Sequence, residues 1–152
     1  MKITKVKIKP NETEIAYLET DAKNSKEVTF KSWDTQSKEF LGALQVLKPY
    51  VIYILELPDG YYETLEIRGV TIKYEEAGIG VVISAVKGLE SLSAPLCLNT
   101  PYIPPKRDEH INTPMSSGLE MSIERITVMA QQFMDGQHRA QGQLFEQEAQ
   151  HD

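Results

Sequence analysis

The chain has 152 residues, 41% of them hydrophobic and 25% charged, with a formal net charge of −6. This composition fits one globular domain of ordinary size plus a tail, and the acidic balance is the opposite of a nucleic-acid footprint. A single cysteine excludes a disulfide framework within the chain, and the longest apolar run, "YVIYIL", is far too short to span a bilayer.

In chain order, the first third reads as three short strands. Val6 and Ile8 alternate with lysines, Ile15 and Tyr17 alternate in "EIAYLE", and Val28 and Phe30 alternate in "KEVTFKS". Lys2, Lys5, Lys7 and Lys9 are read as the solvent face of an edge strand. No apolar segment follows Met1, so no signal peptide is expected. The period then changes. Phe40, Leu44, Leu47, Val51 and Ile54 are spaced to line one helix face, with Asp34 or Thr35 as the expected N-cap. Pro49 interrupts this pattern and leaves two readings, one kinked helix or a second helix starting at Pro49.

After "LPDGYY", the stretch "YETLEIRGVTIKYEE" alternates but changes parity. Leu65 and Ile67 are odd, whereas Val70, Ile72 and Tyr74 are even, which predicts a β-bulge at Arg68-Gly69. "EEAGIG" turns the chain into "VVISAVK", and "LCLN" supplies a last short strand, with Cys97 read as a small buried hydrophobe. "TPYIPPKRDEHINTP" reads as a Pro-rich linker. Ser117 and Glu120 form a capping box before a helix with the stripe Leu119, Ile123, Ile126, Ala130 and Phe133, and Gly136 is its expected stop. Met115, Met121, Met129 and Met134 are read as packing filler.

The expected fold class is therefore α+β: an antiparallel sheet of about five or six strands with one packed helix, a Pro-rich linker and a C-terminal amphipathic helix. The expected organisation is an α+β domain over 1–99, the linker over 100–116, the helix over 117–136 and a disordered docking tail over 137–152. The helical stripe packs on the domain or on a second copy, making residues 117–135 the candidate homodimer contact.

Residues that carry chemistry are few. His110, His138 and His151 fall in the linker and tail and match no metal motif. No phosphate-binding loop or nucleophile elbow is present, and Glu56, Asp59, Glu63 and Glu66 read as exposed acids around a turn. The expectation is a non-enzyme without metal or cofactor. Tyr61 and Tyr62, at a turn, are the aromatics most available for stacking, and with Lys5 and Lys7 they form the candidate nucleic-acid contact.

The stretch from Glu66 to Pro104, with its R-G-V strand and "APLCLNTP" block, resembles a group of small phage and prophage proteins of unknown function. The likeness extends more weakly over "FLGALQVLKPYVIYILELP" and implies a phage setting but no activity. The closing "RAQGQLF" resembles the peptide by which bacterial replication and repair proteins dock on the DNA sliding clamp. Gln141 matches its anchor Gln, and Leu144 and Phe145 its apolar pair; Gly142 and Gln143 depart from the usual residues. The single cysteine and the lack of a signal or membrane segment lead to an expected cytoplasmic location, and the resemblance implies a phage accessory protein that binds the host clamp, in or against DNA replication. The alternatives are a single-stranded-DNA-binding or recombination accessory protein, and an inhibitor of a host defence protein.

Overall fold

Alternation in the first third builds β1 (Lys2–Lys9), β2 (Glu12–Thr20) and β3 (Ser25–Ser32), and later segments build β4 (Leu65–Glu75), β5 (Gly78–Lys87) and β6 (Leu96–Asn99). The computed structural model describes residues 1–20, 24–91, 93–106 and 115–150, with side chains described as far as 137. The strands form one six-stranded sheet in the order β3-β2-β1-β4-β5-β6, with every pairing antiparallel. The class is α+β, with three helices on one face: α1 (Lys38–Gln45), α2 (Lys48–Ile54) and α3 (Ser117–Gln150). Ile3, Val6, Ile15, Ile67, Val70 and Ile83 from the sheet share one core with Phe40, Leu44, Leu47 and Val51 and with the α3 stripe.

β1 is an interior strand and not the edge that its lysines suggested. A sheet covered on one side presents an alternating polar face along every strand, so interior and edge strands look alike in sequence. The true edges are β3 and β6. Cys97 is correspondingly exposed and not buried, because it stands on β6 opposite Val86.

Pro49 begins a second helix. It occupies the first turn of α2, where its missing N–H needs no partner. The N-cap of α1 is Ser37, whose hydroxyl accepts from the Phe40 N–H at 3.1 Å, and neither Asp34 nor Thr35. Asp34 instead donates its N–H to Ser32 Oγ. At the start of α3 the cap is Ser116, one residue before the expected box, and it accepts from the Leu119 N–H at 3.1 Å. Ser117 Oγ is engaged by Lys106 Nζ at 2.7 Å. Helix α3 also continues through Gly136, which stays out of the left-handed region that a glycine stop adopts. The proposed tail, and with it Gln141, Leu144 and Phe145, has side chains outside the described ones.

The linker was expected to begin at residue 100, yet its first residues are fixed to β5. Thr100 exchanges hydrogen bonds with Ile83, and Ile103 with Val81 at 2.8 and 2.9 Å. Tyr102 lies across Gly80, where a Cβ would collide with its ring. Ile103 and Met115 are both buried, so each described end of this segment belongs to the core.

The expected bulge falls where β4 shifts register between Ile67 and Gly69. It keeps Leu65, Ile67, Val70 and Ile72 all buried in spite of their mixed parity. Gly69 is required there because a Cβ would meet the backbone carbonyl of Val6. Before the bulge β4 has no ladder with β1, which pairs with it only at Lys5–Lys7. Gln45 fills the gap. Its Nε2 donates to the Ile67 carbonyl and its Oε1 accepts from the Ile67 N–H, both at 3.1 Å. A side-chain amide thus stands in for a neighbouring strand. Gln45→Leu removes both bonds and leaves two partly buried backbone groups unpaired. It should lower unfolding free energy by about 2 kcal/mol in urea denaturation, against about 0.5 kcal/mol for exposed Gln132→Leu.

Candidate functional site

Helix α2 ends in a way that shapes an open groove beside it. Leu57 N–H bonds to the Ile52 carbonyl at 2.9 Å and Glu56 N–H to the Tyr53 carbonyl at 3.3 Å, the paired bonds of a Schellman motif. This motif puts its C′ residue in the left-handed region, and that residue is Glu56, with φ of 53°. Glycine is the usual occupant, since a side chain costs about 1 kcal/mol in that conformation.

The chain then turns through Pro58 into a 3-10 turn, Asp59–Tyr61. Between this turn and α2 lies an open groove of about 930 Å³. Pro49, Ile52, Ile54 and Leu57 give it an apolar floor, Tyr53 and Tyr62 stand exposed beside it, and Glu56 and Asp59 supply two carboxylates. Neither carboxylate has an ion-pair partner among the described residues. Tyr53, in the last turn of α2, is 75% exposed.

Tyr61 and Tyr62 each carry a lysine over the ring, Lys87 Nζ at 4.6 Å and Lys48 Nζ at 5.2 Å from the centroids. The sequence had paired these tyrosines with Lys5 and Lys7. Those lysines belong instead to the uncovered sheet face, where they stand opposite Ala16 and Glu14 in the ladder. Lys5 Nζ is 3.7 Å and Lys9 Nζ 3.6 Å from Glu14, so much of the positive charge along β1 is internally matched. Burial opposes ionisation of Glu14, but Lys5, Lys9 and Lys31 together outweigh it and hold the carboxyl below its ordinary value of 4.5. Of the four acids grouped by the sequence, Glu56 and Asp59 meet at the groove, Glu63 is exposed nearby, and Glu66 pairs with Arg68 at 3.4 Å on the sheet.

The exposed Tyr53 and the lysines Lys48 and Lys87 escaped the sequence reading, which had grouped Glu56 and Asp59 only as exposed acids. One signal existed for Tyr53: it lies off the stripe of Leu47, Val51 and Ile54, so an α2 helix had to turn it away from the core. Glu56 was legible as an acid at a turn, but its left-handed conformation follows from where the helix ends.

Among the described residues no group of three or more His, Cys, Asp or Glu could hold a metal, and no helix is long and apolar enough to cross a membrane. No protein-family model, curated protein or solved structure matches the chain.

Two outcomes follow from these geometries. Glu56→Gly relieves the left-handed strain and should raise the unfolding free energy by about 1 kcal/mol, read as a higher urea midpoint at unchanged m-value. Glu14→Gln should destabilise at neutral pH by about 1 kcal/mol. Because the folded-state pKa is depressed, that contribution is complete above pH 4.5 and is lost as pH falls through the lower folded value. The stability difference between wild type and Glu14→Gln therefore shrinks below pH 4.5 in acid titrations followed by circular dichroism.

Proposed function

We propose that the protein is a non-enzymatic binding module that docks on the bacterial DNA sliding clamp through Gln141, Leu144 and Phe145, acting as a phage accessory factor in or against DNA replication. Its support in the sequence is the match of "RAQGQLF" to the clamp-docking peptide. The observation that carries the reading is the way α3 is fixed. Leu119, Ile123, Ile126, Ala130 and Met134 are all buried in the chain's own core, and Ser32 Oγ donates to Gln137 Oε1 at 3.2 Å. The stripe of residues 117–135 is thus already occupied within one chain. A peptide at Gln141–Phe145 would follow on an element held by the domain, since α3 runs to Gln150.

The energetics are those of a weak peptide interaction. Burying one Leu and one Phe contributes roughly 3–6 kcal/mol, and the Gln amide about 1 kcal/mol more. Ordering the peptide offsets several kcal/mol, so a dissociation constant of about micromolar or weaker is expected. The single-stranded-DNA reading fares worse. Glu56 and Asp59 line the groove with Tyr62, and their carboxylates repel a polyphosphate backbone, although Lys87 and Lys48 lie over the Tyr61 and Tyr62 rings.

The test is calorimetric titration of the host sliding clamp with the full-length protein and with the Leu144→Ala/Phe145→Ala double variant. Binding near micromolar by the wild type, lost in the variant, is the expected outcome. Equal heats from both proteins, or none from the wild type, would remove the clamp from consideration.

A further inference from the structure

We propose that the α2 groove is a second docking site, which takes an extended peptide segment of a partner protein combining apolar side chains with lysine or arginine. The proposal is independent of the C-terminal peptide and rests on the groove's own chemistry.

The floor is apolar over Ile52, Ile54, Leu57 and Pro49, and none of these side chains is fully buried. A floor of partly buried apolar side chains gains from having its remaining exposed area covered by aliphatic groups. Tyr53 and Tyr62 offer broad faces with only two side-chain torsions each to immobilise, which suits them to contact area at low entropic cost. Charge selects the occupant. Glu56 and Asp59 line the groove without ion-pair partners among the described residues. Lys48 Nζ is placed over the Tyr62 ring at 5.2 Å and Lys87 Nζ over the Tyr61 ring at 4.6 Å, and neither pairs with Glu56 or Asp59. An acidic or phosphorylated segment would meet like charge here, whereas a guanidinium or ammonium would find two free carboxylates beside aromatic faces. The groove is also bounded by fixed elements. The Schellman bonds hold Glu56 and Leu57, and the bonds of Tyr61 and Tyr62 to Pro58 and Asp59 hold the opposite wall, so little ordering is needed when a segment enters.

The experiment follows amide shifts of the isotope-labelled full-length protein titrated with a short acetylated peptide of alternating leucine and arginine. Its counterpart of alternating leucine and glutamate is the control. Shifts should concentrate on residues 49–62, and the glutamate peptide should produce none. The Glu56→Gln/Asp59→Asn variant should bind the arginine peptide roughly fivefold more weakly. Tyr53→Ala, at a position too exposed to disturb folding, should weaken it by about tenfold. Glu27→Gln/Glu90→Gln removes the same net charge from exposed sites elsewhere and should leave affinity unchanged. Shifts spread over the whole acidic surface, equal binding of the glutamate peptide, an unaffected groove variant, or no binding would each overturn the proposal.

Discussion

The carboxamide of Gln45, bonded to both backbone groups of Ile67, closes the place where two three-stranded meanders meet. β3-β2-β1 and β4-β5-β6 share one short ladder, between Lys5–Lys7 and Gly69–Thr71, and on one side of it the Tyr74 hydroxyl donates to the Ile3 carbonyl at 2.7 Å. Beyond that ladder the strands part, and β4 would offer unpaired backbone to the interior. Gln45 prevents this from the end of α1, while Gly69 lets the Val6 carbonyl approach without obstruction. Sheet register and helix position are therefore set at one point. Moving α1 would break the seal on β4, and shifting β4 by one residue would turn Leu65 and Ile67 outward.

The two faces of the sheet divide the molecule's tasks. The covered face collects the apolar residues of the strands, α1, α2 and the stripe of α3, with Phe133 set edge-on to Phe30 and Phe40 at 6.4 and 5.7 Å. The uncovered face carries matched charges: Lys5 and Lys9 with Glu14, Arg68 with Glu66, Lys73 with Glu75. Exposed pairs of this kind add little stability individually, but they leave a face with little net field to attract a polyanion. The surface best suited to recognition lies at the end of α2, where the helix stops early and leaves aromatic, aliphatic and carboxylate groups side by side.

The features that cost the fold something are placed at surfaces. Glu56 holds a conformation suited to glycine, and Tyr53 stands in solvent from a helix whose other face is core. Such departures cluster where side chains serve something other than packing.

Periodicity alone determined much of this protein: an antiparallel sheet of about five or six strands, which has six, and the bulge announced by the parity change from Ile67 to Val70. The apolar spacing through Pro49 left one kinked helix or two, and the fold has two. These are local matters, because the spacing of apolar residues along one segment fixes which side of it is buried. Tertiary structure alone decided which strand lies beside which, and so made β1 interior, left Cys97 on an exposed edge and bound Thr100 and Ile103 to β5. It also brought Gln45 to Ile67 and parted Lys5 and Lys7 from the Tyr61–Tyr62 turn. Pairings between distant segments depend on how the whole chain closes around its core, and no single segment carries that information.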